Sequence, residues 1–548
     1  MIQNDSMAAR VSSLFLIFML VLSATGARSQ SGEMPSAIAA ARFLQQASWG
    51  PTPATVAHIQ DVGFDRYIEE QFLAPMSPIT VPPPAANGRI PMRPVQDQFF
   101  YNAVHGGDQL RQRVMFALNQ IWVVSGVKVK EAAAMVNYLQ VLQKDAFANY
   151  SDVMYDVTLS PAMGYYLDMV NNDKPNPRTG KGANENYARE FMQLFTIGLV
   201  ELSKDGTVIR DDSGNPVDTF TQENIEGFAR AFTGWTYAPS PGATPRAHNP
   251  AIWNEPMVPW NNNHDTDSKA LLNGVTLPPK QDAQQDLNDA LNNVFMHPNV
   301  GPFVCRQLIQ HLVTSNPSPA YVRRVTRVFD GGARPRPGRG NLGNLELLQR
   351  GNDTRAATAR GDMKAVIKAI LLDPEARAGD NGDADASPGE GHLREPVLFI
   401  NGLLRALNAT LSSENGLAPA GSEMGQNIYF PPTVFNYFAP DYEIPATTIN
   451  APEFQIFSPA TAMVRADFVN NLIYGKIAGV AVDLAPFMGQ PDADRMLDLL
   501  GDWLMWGRMP GNMRQAIRNA IDVAPTAKAK LQAAVYLICS SSQYQVQR

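Results

Sequence analysis

Apolar residues recur at three- and four-residue spacing through nearly the whole of this 548-residue chain, which leaves little room for sheet. The pattern predicts helices over 39–46, 64–73, 110–124, 132–148, 161–170, 184–197 and 222–232. It resumes over 287–295, 302–313, 321–329, 363–372, 393–407, 460–474, 493–504 and 528–540. Strand-like alternation is nearly absent; the exception is 206–219, where Val and Ile flank an Asp-Asp-Ser-Gly-Asn turn and read as a small hairpin. The expected fold class is therefore mostly α: one large multi-helix body with a minor β-hairpin and long Pro/Gly-rich loops. Three stretches read as connections. Seven prolines between 75 and 94 predict an extended surface loop, while the Gly/Arg-rich 331–361 and acidic 373–391 segments read as mobile insertions.

Location is the next constraint. Arg10 precedes a 12-residue apolar run, 11–22, and then Ser23-Ala-Thr-Gly-Ala27. A positive head, a short greasy stretch and small residues at its exit have the layout of a secretory signal peptide over 1–27. A bilayer span needs about 20 residues, so this run is short for an anchor, and no other stretch approaches that length. The expectation is an exported protein, periplasmic or extracellular, with no transmembrane anchor after cleavage. A net charge of −7 with no sustained basic run argues against nucleic acid as a partner. The two cysteines, Cys305 and Cys539, are far apart and not in a Cys-x-x-Cys pair, which excludes a cysteine zinc site; one disulfide or two buried thiols fit equally.

Two segments carry chemistry-bearing side chains. In Gly182–Gly198, a helix at 100° per residue places Tyr187, Phe191, Leu194 and Phe195 on one side. Glu185, Asn186, Arg189, Glu190 and Gln193 fall on the other. Glu185 and Arg189 are four apart and can pair, Asn184 is placed to cap, and Gly198 to terminate. A capped amphipathic helix accounts for every position. The same carboxylates and amides could also hold a divalent cation, or act as acid and base if burial separates their pKa values. The second segment is Trp260-Asn-Asn-Asn-His264-Asp265-Thr-Asp267-Ser-Lys269. His264 beside Asp265 could supply an oriented base or metal ligands. Alternatively it is a polar Asx-rich loop, with Lys269 a surface charge.

Other templates fail. No Gly-x-Ser-x-Gly, His-Glu-x-x-His or Walker loop occurs, and none of the seven histidines forms an i,i+4 pair. Gly338-Arg-Gly-Asn-Leu-Gly343 matches the dinucleotide fingerprint in letters only, since an Ala-Arg-Pro-Arg-Pro lead-in replaces the strand it requires.

The run Asn184-Glu-Asn-Tyr-Ala-Arg-Glu-Phe-Met-Gln-Leu-Phe-Thr-Ile-Gly198 resembles the hallmark of a large family of exported bacterial proteins catalogued only as a domain of unknown function. Further matches follow in order: Phe228-Ala-Arg-Ala-Phe-Thr-Gly-Trp235, His264-Asp265 with Lys269, His297-Pro298, Leu393-Arg-Glu-Pro396, Met424-Gly-Gln426 and Pro431-Pro-Thr-Val-Phe-Asn436. The resemblance covers about 37–475, taken as the main domain, with 476–548 a helical extension packed upon it. It implies a helical exported protein, often encoded beside a sulfatase-like exported partner, and no established reaction. Where the family often has Phe-Trp-His-x-His-Phe, this chain reads Ala117-Leu-Asn-Gln-Ile-Trp122, so no histidine role passes to Asn119 or Gln120.

Two functions remain open. One is a binding or scaffold protein acting with an exported partner or surface polymer, in which Arg230, Trp235, Lys269, Cys305 and Cys539 are structural. The other is an exported metal-dependent hydrolase. Its catalytic candidates are Glu185, Arg189, Glu190, His264 and Asp265, and its metal ligands Asn186, Glu190, His264 and Asp265.

Overall fold

The computed structural model describes residues 34–332, 359–381 and 390–547. The expected signal segment and the 338–343 glycine run lie outside these residues. The described chain is mostly helical, with antiparallel pairs only two residues long. Helix starts follow sequence caps. Ser36 accepts from the Ala39 N–H at the head of Ala37–Ala47, and Thr52, Thr221 and Ser458 form capping boxes at the heads of Pro53–Leu73, Gln222–Ala231 and Pro459–Ile473. The 64–73 helix extends back to Pro53 across a kink at Gly63, whose φ of 79° breaks the helix. The helix expected over 161–170 stops at Tyr166, because Asp168 and Asn171 take left-handed backbone.

The expected hairpin is a meander of single bridges. Leu202 pairs with Val208 and Arg210 with Pro216, and Val200 returns to Asp218. The two-residue pairs lie elsewhere: Trp235–Thr236 with Val258–Pro259, Lys269–Ala270 with Thr276–Leu277, Thr410–Leu411 with Val480–Ala481, and His392–Leu393 with Val546–Gln547. Each pins a loop onto the helical body rather than building a sheet.

One continuous apolar core runs from Ala40 to Tyr544, so the C-terminal helices share it with the rest. Ala527–Cys539 packs on Pro459–Ile473, and the final strand closes on residues 392–393. Cys305 and Cys539 are separate buried thiols, and burial pushes both thiols far up. Residues 373–381 dock on the first helix through Arg42–Asp380 at 3.2 Å and an Arg377–Gln46 hydrogen bond.

Candidate functional site

The 184–198 segment is not one α-helix. Asn186–Glu190 is α-helical and Phe191–Thr196 is a π turn. Thr196 Oγ1 donates to the Phe191 carbonyl at 2.6 Å and Ile197 N to the Met192 carbonyl at 3.0 Å, both five-residue steps. The wider turn carries Met192 into the core beside Phe191 and Phe195 and leaves Leu194 half-buried. The apolar side lies in an aromatic cluster: Phe195 is 4.7 Å from Trp122, and Phe232 is 5.5 Å from Tyr187 and 5.7 Å from Phe191. Asn184 Oδ1 accepts from the Asn186 N–H at 2.9 Å, and Gly198 ends the segment at φ 76°.

The polar side divides. Arg189 Nη2 reaches Glu185 Oε2 at 2.9 Å, and Gln222 bridges both, its Nε2 donating to Glu185 at 3.1 Å. These groups are a third or more exposed, so the pair contributes well under about 1 kcal/mol. Asn186 Nδ2 instead donates to Asp168 Oδ2 at 3.1 Å, and Asp168 Oδ1 holds Lys128 at 2.7 Å. Glu190 stands apart. Its Oε2 is buried without a partner, and desolvation raises its carboxyl against the pull of Arg189. Tyr166 is pushed up to about 12, by burial first and then by the Glu190 charge.

The His264 loop forms a second, sealed network. Gly234 at φ 80° brings the backbone against His264, where a Cβ would stand 2.8 Å from the histidine Cβ. His264 Nδ1 faces the Thr233 carbonyl at 2.9 Å, an acceptor only, so that nitrogen donates. Its Nε2 is 3.0 Å from Asp286 Oδ2. The same oxygen takes Lys269 Nζ at 2.7 Å, and Nζ also donates to the carbonyls of Asp265 and Asp267 at 2.6 and 2.8 Å. Arg230 closes the set, its Nε and Nη2 forking onto Asp265 at 2.8 and 2.9 Å. Burial alone would raise Asp265, but this fork, the Asp267 N–H and Lys269 hold it below its ordinary value. Side-chain exposure is 0% for His264 and Asp286 and 1% for Lys269, so no solute reaches them. Lys269 is thus a buried cation, not a surface charge: the Lys269–Ala270 strand packs against the Gln222–Ala231 helix.

That helix relates the two networks. Gln222, at its start, touches Glu185 and Arg189; Arg230, near its end, grips Asp265. Eight residues of helix separate them, about 12 Å. Glu185 and Arg189 are therefore not joined to His264 and Asp265 in one pocket. The metal candidates divide likewise: Asn186 and Glu190 lie on one side, while the ligating atoms of His264 and Asp265 are engaged by Thr233, Asp286 and Arg230. Among the described residues no group of three His, Cys, Asp or Glu is placed to hold a metal ion. Trp235 lies buried beside this loop, paired through its backbone to Pro259.

A third network gathers residues not nominated from the sequence. Glu395 is buried, taking Nε2 of Gln426 in a short hydrogen bond and Nε2 of Gln120 at 3.2 Å; Asn436 in turn donates to Gln120 at 2.9 Å. Burial pushes Glu395 up to about 7, against the opposing pull of Gln426 and Arg113. Nearby His392 Nδ1 and Ser315 Oγ share Glu453 at 3.1 Å each. Glu395, Gln426 and Asn436 each stand in one of the separate matching motifs, a signal that they converge in space.

A family profile described as "Protein of unknown function (DUF1800)" matches residues 42–335 and 344–546. The chain belongs to this DUF1800 family. The match extends past residue 475 into the C-terminal helices, in keeping with their share in the common core. No curated protein and no solved structure matches the chain.

Proposed function

We propose that this DUF1800 protein is an exported, non-catalytic binding or scaffold protein that works with an exported partner or a surface polymer. The observation that carries this reading is the sealing of His264, Asp286 and Lys269, which bond to one another and to backbone carbonyls out of reach of solute. A buried ion network of this kind adds little net stability, and its use is to fix the register of the elements it joins. Export is supported by the Arg10 head and the 11–22 apolar run. Among the described residues no helix is long and apolar enough to cross a membrane. Metal analysis of the purified mature protein tests the proposal: a stoichiometric divalent metal would overturn it.

The hydrolase reading keeps one supporting observation, the unpartnered, upshifted carboxyl of Glu190 beside Tyr166. A half-buried carboxyl shifted upward by desolvation, with one oxygen unpartnered, is the kind of group that serves as a proton donor. On the scaffold reading, Glu190→Gln retains partner binding and melting temperature. Loss of a hydrolytic activity in that variant, with the fold intact, would favour the alternative.

A further inference from the structure

A cleft of about 220 Å³, lined by Arg42, Arg394 and Arg508, opens where the first helix, the 505–510 loop and residues 543–546 meet. Its arginines already have partners within the protein, among them Asp380 and the Ala376 carbonyl for Arg42 and the Tyr544 carbonyl for Arg394. The surface beside the Asn186–Glu190 turn differs, because it combines exposed rings with a carboxylate oxygen that has no partner. Tyr165, near the end of the Pro161–Tyr166 helix, is 41% exposed. Half-buried Trp253 meets it edge-on, with ring centroids 5.8 Å apart and planes at 82°, and is also held by buried Tyr237 at 5.5 Å. Met257 N donates to the Leu159 carbonyl at 2.8 Å, and Gly164 makes room for Met257 Sδ, which would stand 2.4 Å from a Cβ there. That contact pins the loop carrying Trp253 onto the helix carrying Tyr165.

Polar groups gather at the same helix end. Lys128 Nζ donates to the Tyr166 carbonyl at 2.8 Å and to Asp168 Oδ1 at 2.7 Å, and lies 5.7 Å from the Tyr165 ring centre. Asn186 Nδ2 takes the other Asp168 oxygen at 3.1 Å. Glu190 is four residues on from Asn186, so both side chains leave one face of the turn, and the Glu190 charge bears on Tyr166. The 186–190 turn therefore lies along residues 166–168 and brings the unpartnered Glu190 Oε2 to this helix end. Lys128 and Asp168 offset each other, which leaves no excess charge with which to hold a polyanion. Sugar hydroxyls donate and accept at once, matching Lys128, Asn186, Asp168 and Glu190. The C–H face of a pyranose ring suits the electron-rich face of Tyr165 or Trp253. A proline-rich peptide docks instead in an aromatic-lined groove, and rings crossed at 82° make a corner rather than a groove.

We infer that the surface formed by Tyr165, Trp253, Lys128, Asp168, Asn186 and Glu190 binds a neutral glycan chain. The inference deepens the binding reading by naming its surface polymer, and rests on that reading only for the polymer being held rather than cut. The full chain is titrated with cellohexaose, N-acetylated chitohexaose and maltohexaose, and with an alginate oligomer and a polyproline peptide as charged and proline-rich controls. Calorimetry and tryptophan fluorescence are the readouts. At least one neutral hexasaccharide binds with Kd below about 1 mM and changes the fluorescence, and neither control does. Tyr165→Ala weakens that binding about tenfold. Tyr101→Ala, at a comparably exposed tyrosine on the Arg93–His105 helix, leaves it unchanged, and both variants keep the parent melting temperature. Trp253→Phe keeps the calorimetric binding but loses the fluorescence response. Tighter binding of the alginate or polyproline probe overturns the inference, as does undiminished affinity in Tyr165→Ala or a fluorescence response that survives Trp253→Phe. Binding of none of the three hexasaccharides also overturns it, and leaves the scaffold reading standing with another partner. Release of shortened sugars would instead uphold the surface and overturn the non-catalytic reading.

Discussion

Lys269→Met removes the ammonium from the sealed network while keeping most of the stem volume. Nζ makes three contacts within 2.8 Å, to Asp286 Oδ2 and the Asp265 and Asp267 carbonyls, at 1% exposure. Asp286 then keeps only His264, and its Oδ1 already lacks a partner. Breaking a buried pair from one side costs about 3–5 kcal/mol, because the remaining charge stays desolvated. Unfolding entropy scales with chain length, so in a body this large each kcal/mol moves Tm by only about 1 °C. The expected fall is about 4 °C by calorimetry, with a matching drop in the urea midpoint. Lys269→Met combined with Asp286→Asn should lose less than the two singles together, since the charge left behind in each single variant is gone; a coupling of about 1 kcal/mol or more is expected. A single-variant shift below about 1 °C, or strict additivity, would refute the view that these groups form one desolvated unit.

Glu395→Gln tests the pH dependence of the third network. An acid whose folded pKa is raised to about 7 favours the folded state fully at low pH. That stability is lost as pH rises from the unfolded value near 4.3 through 7. The variant should lack this decline, so its Tm relative to the parent should climb between about pH 4.3 and 7 and level off above; a flat difference curve would contradict the assignment. His311 and His297, held down at about 3 and about 4 by burial, act oppositely and destabilise the fold as pH drops below about 6.5. Because both variants retain these histidines, the difference curve cancels them. Gly227→Ala should cost about 3 kcal/mol, because an added Cβ would stand 1.9 Å from the Ala270 carbonyl oxygen; an unchanged urea midpoint would show that the strand yields. Thiol titration of the native protein should label neither cysteine, and denaturant should release both; rapid native labelling would refute their burial.

The mostly helical character was legible because an apolar stripe at 3.6 spacing survives whatever the tertiary fold does with it. Arg93–His105 escaped that reading because its buried side includes Gln96, Asp97 and Asn102, which periodicity counts as polar. The π turn was invisible for another reason: a one-residue widening is enforced by packing against Trp122 and Phe232, not by any letter in Phe191–Thr196. At the His264 loop the sequence offered Asp265 as the neighbouring carboxylate, yet the ring pairs with Asp286, 22 residues on, in the first turn of the Ala283–Phe295 helix. Arg230, near the end of the Gln222–Ala231 helix, locks Asp265 with both prongs, a pairing that spans 35 residues of sequence. What could not be read was solvent: nothing in the letters says that Lys269 lies in the dark while Glu185 stays wet.

The Arg-lined cleft has its own consequence for how the molecule matures. Its walls come from residue 42, from 394, from 504–510 and from 543–546, so segments far apart in sequence must meet before it exists. The clasp that brings them together, Val546–Gln547 on His392–Leu393, is a two-residue antiparallel pair. Cleavage ahead of residue 543 would leave most of the helical bulk but not this cleft.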